Sequence, residues 1–102
     1  MQQITIDEVK SRLDAGENLN LLDVRENNER EEFNIGGRFI PLGRVTAMDI
    51  DDIEDLKNEE LIVYCRSGNR SGQAATFLET MGFTNVKNLS GGMNAWRDKF
   101  TS

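Results

Sequence analysis

One stretch constrains the fold more than any other: Leu61-Ile62-Val63-Tyr64-Cys65-Arg66-Ser67-Gly68-Asn69-Arg70-Ser71. Four apolar residues of strand-forming character lead into the only cysteine. Small and cationic residues follow. Ala74, Phe77, Leu78 and Met81 then recur at the spacing of one helix face. The pattern predicts a strand, a tight loop and a helix. Such a loop points backbone N–H groups at whatever it encloses, and the helix N-terminus adds partial positive charge. A thiol in that setting ionises readily, because helix N-termini and nearby cations lower the thiol pKa. With Arg66 and Arg70 beside it, Cys65 reads as a thiolate nucleophile in a cradle for an anion. A cysteine buried in a core is the plainer alternative. A core position, however, does not call for Arg-Ser-Gly-Asn-Arg immediately after it.

Elsewhere strands and helices alternate. Thr5-Ile6-Asp7-Glu8 has the form of a capping box and opens a helix over about residues 6–15, closed by Gly16. A short strand near Gln3-Ile4 precedes it. Leu19 to Val24 is a strand with apolar residues on both alternations, as in a sheet covered on both faces. Glu26 to Phe33 predicts a short charged helix whose acidic residues read as a solvated face, with Phe33 and Ile35 inward. Gly36-Gly37-Arg38 is a turn, and Phe39-Ile40-Pro41-Leu42 is a short strand whose proline suits an edge. Residues 46–60 are acidic, with Ile50, Ile53 and Leu56 as a weak amphipathic stripe. Gly82 ends the helix that follows the cysteine loop, and Phe83 to Leu89 holds the last strand. Gly91-Gly92 then turns into a helix carrying Met93, Trp96 and Phe100 on one side, with Trp96 as a core anchor. The order predicts an α/β sandwich with a parallel sheet and right-handed crossovers. Ligands of such sheets bind beyond the C-terminal strand ends. Asp23-Arg25, Cys65 and Gly91-Gly92 each follow a predicted strand end, so three segments point at one rim.

Composition removes several function classes. A length of 102 residues predicts one domain, 1–102. With 12 basic and 18 acidic residues the net charge is −6, so no nucleic-acid footprint is expected. Histidine is absent, which excludes Ser-His-Asp and Cys-His catalysis within this sequence. A single cysteine excludes an internal disulfide or a Cys-x-x-Cys pair. The acidic run lacks the Asp-x-Asp-x-Asp-Gly spacing of a calcium loop, so no metal is expected, nor any cofactor. Met1 to Asp7 has neither a cationic start nor a long apolar run, which predicts no signal peptide and no membrane span. A free reactive thiol fits a reducing cytoplasm.

Cys65-Arg66-Ser67-Gly68-Asn69-Arg70-Ser71 resembles the active-site loop of the rhodanese (thiosulfate sulfurtransferase) family. Leu21-Leu22-Asp23-Val24-Arg25-Glu26 is similar to the family's earlier strand motif, and Asn88 to Trp96 resembles its C-terminal motif. The three stand in the family's order. The resemblance implies a rhodanese-like three-layer sandwich: a five-stranded, mainly parallel sheet flanked by helices on both faces. It implies that Asp23 and Arg25 are ion-paired groups supporting the edge of the site, and that Gly91 and Gly92 bring backbone close to the cysteine loop. The segment at Gly36-Gly37-Arg38 departs from the family's longer Gly-His-Ile-Pro-Gly-Ala pattern and looks compressed, which bears on one pocket wall.

The chemistry that follows is transfer of a sulfane sulfur from thiosulfate or a related small anionic donor. Cys65 attacks the outer sulfur and becomes a persulfide. Arg66 and Arg70 attract the anion, and the N–H groups of residues 66–70, Gly68 among them, cradle the terminal sulfur. Ser67 and Asn69 either contact substrate or are small residues suited to a tight turn. With no second cysteine, the acceptor is an external thiol, a protein thiol or cyanide. Three rivals stand beside this reading. One is a persulfide-relay or regulatory binding module with little free turnover, and another is a redox-sensing thiol. The third is a cysteine phosphatase or arsenate reductase. That loop places five residues between cysteine and arginine, whereas Arg66-Ser67-Gly68-Asn69 makes four here. The first prediction concerns Cys65→Ser: sulfur transfer is abolished while the circular dichroism spectrum and melting temperature stay near wild type. Turnover retained by the variant would remove Cys65 from the chemistry.

Overall fold

The computed structural model describes residues 1–101. Strands β1 (Gln2–Ile4), β2 (Leu21–Asp23), β3 (Arg38–Phe39), β4 (Glu60–Tyr64) and β5 (Asn85–Leu89) form one sheet in the order β1-β5-β4-β2-β3. Every neighbouring pair is parallel. Helices α1 (Ile6–Asp14), α2 (Asn27–Glu32), α3 (Leu42–Thr46), α4 (Asn69–Thr80) and α5 (Gly92–Phe100) connect and cover them, with a 3₁₀ helix at Asp51–Leu56. Among the described residues no helix is long and apolar enough to cross a membrane.

The sheet separates two apolar clusters, and strand alternation assigns side chains to each. Leu61, Val63 and Cys65 join Val45, Ile53, Ala74, Ala75 and Leu78 on the face covered by α3, the 3₁₀ helix and α4. Ile62 and Tyr64 join Val9, Met93 and Trp96 on the face covered by α1 and α5. From Leu61 to Tyr64, β4 is buried on both faces and has no polar side to spare, which is why it reads as a continuous apolar run. The expected core role of Trp96 holds: it is buried and meets Phe100 edge to face at 5.0 Å.

Local signals set most element ends. Thr5 Oγ1 accepts the N–H of Glu8 at 3.1 Å and starts α1. Pro41 sits at the sheet edge as expected, but β3 is shorter than the predicted strand and Leu42 opens α3 instead. Two expectations change in detail. Phe77 is 41% exposed, because α4 buries Ser71, Ala74, Ala75 and Leu78 and so centres its inner face one step away. The stripe Ile50, Ile53 and Leu56 is buried through a 3₁₀ helix, whose three residues per turn match that spacing of three better than an α-helix does.

The compressed turn before β3 is held by contact. Gly37 has φ of +83°, and a Cβ there would stand 2.4 Å from the carbonyl oxygen of Leu21. Tyr64 Oη donates to the carbonyl of Gly36 at 2.8 Å, tying the turn to β4. Burial pushes the Tyr64 phenol up to about 12, so it remains a donor at all ordinary pH values. Gly36 also has positive φ (+89°) but open space around it. Gly36→Ala is therefore expected to cost about 1–2 kcal/mol from backbone conformation alone. Gly37→Ala is expected to cost about 1–3 kcal/mol more from overpacking. Urea unfolding midpoints of the two variants test the ordering.

Candidate active site

Cys65 leaves β4 and Gly68 caps α4 in the left-handed region, with φ of +99°. This conformation turns the Gly68 N–H back onto Cys65 Sγ at 3.1 Å. The carbonyls on the other side of the loop are occupied. Cys65 O accepts the N–H of Met93 at 2.9 Å, and Arg66 O accepts that of Asn94 at 2.8 Å. Both donors belong to the first turn of α5, whose N–H groups have no partners within the helix. The approach is close: a Cβ at Gly92 would stand 2.4 Å from Cys65 O. The structure thus places Gly91-Gly92 against the cysteine loop.

Behind Sγ lies a buried polar pair. Ser71 Oγ is 3.3 Å from Cys65 Sγ and also bonds Asn88 Oδ1. Asn88 Nδ2 donates to Gly68 O at 3.0 Å and to Gln3 Oε1 at 3.2 Å, which fixes Oδ1 toward Ser71. A hydroxyl has one proton for these two acceptors, so thiolate formation turns it toward Sγ. Cys65 is only 1% exposed. Burial alone pushes its thiol up. Hydrogen bonds from the Ser71 hydroxyl and from the N–H groups of Ser71, Gly68 and Ser67 more than offset that, and the thiol lies below its ordinary range. Ser67 and Asn69 are both exposed at the mouth of the loop.

The two arginines meet an internal carboxylate. Arg70 donates from Nη1 and Nη2 to the two oxygens of Glu29 at 2.7 and 2.8 Å. Arg66 Nε lies 3.3 Å from the same group. Glu29 also takes part in the start of its own helix, where its carboxylate accepts the N–H of Glu26 at 2.9 Å. Hydrogen bonding from Arg70 outweighs burial and holds the Glu29 carboxyl down at about 2, against an ordinary 4.5. This pairing adds stability that is fully present above about pH 4.5 and is lost as pH falls toward about 2. Sequence reasoning missed Glu29, because the run around it reads as a solvated face. It also assigned no role to Ser71 or Asn88, because β5 reads Asn-Val-Lys-Asn-Leu and nothing local marks Asn88 as its buried polar residue.

Asp23 and Arg25 are ion-paired as the resemblance implies. Arg25 Nε and Nη2 donate to the Asp23 carboxylate at 2.9 and 2.8 Å, and Asp23 is fully buried. Arg25 Nη2 also donates to Phe33 O at 2.6 Å, so the pair clamps the end of β2 to the end of α2 and thereby carries Glu29. A cleft of about 220 Å³ opens beside the loop, with Arg25, Glu29, Arg66 and Asn94 among its walls. The Gly36-Gly37-Arg38 turn is not one of them.

The sequence pattern of the rhodanese-like domain matches residues 5–99. The chain belongs to the rhodanese-like domain family. A sulfurtransferase of Allochromatium vinosum is 33% identical over 99 residues, covering 94% of this chain and 88% of that protein. A Bacillus subtilis protein named as a candidate sulfur carrier, YrkF, is 38% identical over 100 residues. That match covers 95% of this chain but 51% of YrkF, so the chain spans about half its length. The rhodanese-like fold is equally plain in three dimensions. The crystal structure of a Staphylococcus aureus rhodanese-like domain protein superposes with a TM-score of 0.83 at 30% identity, covering 98% of this chain and 95% of that one. The chain therefore stands among sulfurtransferases and sulfur carriers.

In this rhodanese-like domain the largest influence favouring the thiolate is the Ser71 hydroxyl. Ser71→Ala is accordingly expected to move the midpoint of Cys65 alkylation by iodoacetamide to higher pH and to slow alkylation at pH 7 several-fold. A full pH–rate profile of both proteins checks it.

Proposed function

We propose that this domain is a sulfurtransferase that moves a sulfane sulfur from thiosulfate or a related donor to a thiol through a persulfide on Cys65. The observation that carries the reading is the Gly68 N–H aimed at a buried Cys65 Sγ in a loop whose Cys65, Arg66 and Gly68 carbonyls are bonded elsewhere. Such a cradle favours one anionic sulfur atom, and its hydrogen bonds lower the thiol pKa without a general base. Cys65 Sγ attacks the outer sulfur of thiosulfate, the S–S bond breaks, and its electron pair leaves on sulfite. The N–H groups of residues 66–70 then hold the new terminal sulfur, while the guanidinium groups of Arg66 and Arg70 draw in the donor and offset charge on the departing group. An external or protein thiolate, or cyanide in the test tube, attacks that terminal sulfur and releases Cys65 as thiolate. Asp23, Arg25, Gly91 and Gly92 support the loop. A free thiol of this kind suits a reducing compartment such as the cytoplasm.

A relay role is the second reading, and one observation favours it: Cys65 is almost wholly buried, which suits transfer to a docked protein thiol. The four-residue spacing to Arg70 and the tie of Arg70 to Glu29 speak against a phosphatase.

Intact mass after brief exposure to thiosulfate is expected to rise by one sulfur atom, and cyanide or a thiol is expected to reverse it. Cys65→Ser gains nothing. Wild-type protein that gains no sulfur from thiosulfate or from an alkyl persulfide would overturn the proposal.

A further inference from the structure

The loop arginines are already half neutralised. Arg66 and Arg70 bring two positive charges, and Glu29 removes one of them. The thiolate form of Cys65, the form that attacks, removes the other. The reacting centre is thus close to electroneutral before a donor arrives. Glu29 cannot step aside cheaply. It is 9% exposed, and its two oxygens hold Arg70 twice, Arg66 once and the Glu26 N–H. Leaving such a carboxylate buried and unpaired is strongly destabilising. A donor must therefore share the arginines with Glu29 rather than displace it. Sharing is feasible, since Arg70 commits two of the five N–H donors of a guanidinium to Glu29.

From this geometry we infer that Glu29 sets the charge of the sulfur donor, so that the site takes the singly charged persulfide of a small thiol in preference to doubly charged thiosulfate. The inference rests on the sulfurtransferase reading above and names its donor class. The step balances. Cys65 Sγ, as thiolate, attacks the terminal sulfur of R–S–S⁻, and a new S–S bond forms on Cys65. The donor's S–S bond breaks, and its electron pair leaves on RS⁻, which takes a proton from water. Two negative charges enter and two remain, whereas thiosulfate gathers three at the same centre. A carboxylate fixed beside the arginines penalises each additional donor charge in the same way, so its effect on a dianion is about twice that on a monoanion.

Glu29 acts through Arg66 and Arg70 and is a positioning residue, so its test needs a readout that simple misfolding would not move. Two ratios supply it. The first uses alkylation of Cys65 by iodoacetate and iodoacetamide, the same electrophile with and without a negative charge. Glu29→Gln is expected to raise the iodoacetate-to-iodoacetamide rate ratio about tenfold, and Glu29→Asp to return it toward wild type. The second uses sulfur loading of Cys65, followed by intact mass, with thiosulfate and with the persulfide of 2-mercaptoethanol. Wild type is expected to load faster from the persulfide. Glu29→Gln is expected to raise the thiosulfate-to-persulfide ratio of second-order rate constants about tenfold, chiefly through a lower donor KM. Both ratios unchanged, or both donors slowed alike with the Asp variant restoring speed but no selectivity, would reduce Glu29 to a brace for Arg70 and overturn the inference. Loading from neither donor by wild type would overturn the sulfurtransferase reading itself. The alkylation ratio would still decide whether Glu29 sets the charge at Sγ.

Discussion

Two helix N-termini converge on one loop, and the candidate site depends on how they divide its peptide groups. The first turn of α5 takes the carbonyls of Cys65 and Arg66, while the left-handed Gly68 at the start of α4 turns its N–H onto Sγ. Donors are left facing the sulfur and acceptors are removed from it. An anion is favoured there and a cation is not. The glycines at 68, 91 and 92 are the condition for this arrangement, since each adopts positive φ and Gly92 leaves no room for a Cβ.

Around that loop the charges form a graded series. Asp23 and Arg25 are fully buried and matched, and they act as a rigid joint between β2 and α2. Glu29 is slightly more exposed and faces Arg66 and Arg70, as Asp23 faces Arg25 and, at 3.4 Å, Arg30. Beyond it, Glu32 pairs with a half-exposed Arg97 at 3.0 Å, a contact of small energetic weight. The pairs thus become more exposed from Asp23–Arg25 through Glu29–Arg70 to Glu32–Arg97, while Arg25 itself also lines the cleft.

Much of this was legible in the sequence, and what escaped did so for identifiable reasons. The strand–loop–helix around Cys65 is continuous in sequence, so its apolar run, small residues and periodicity all sit in one window. The Asp23–Arg25 pair spans two residues and was visible through the resemblance. The Arg70–Glu29 bond joins positions 41 apart, and α2 is only six residues long, too short for a periodic pattern to reveal an inward face. Ser71 and Asn88 meet only because β5 packs beside β4 and under α4, a relation set by sheet order and not by local pattern. Phe77 was misjudged because small residues allowed α4 to lie close to the sheet on its alanine face.

The strand order has a kinetic consequence. The first of the five strands in sequence, β1, has the fifth, β5, as its neighbour in the sheet. Gln3 of β1 also bonds Asn88, which holds both Ser71 and the Gly68 carbonyl. During synthesis β1 must therefore wait for its sheet partner until β5 has emerged. Parallel pairings of such long separation form slowly. The bond from Asn88 to Gln3 forms only when β1 and β5 meet. A chain caught before that point would lack the Gln3 brace on Asn88, so the support behind the thiol is completed late.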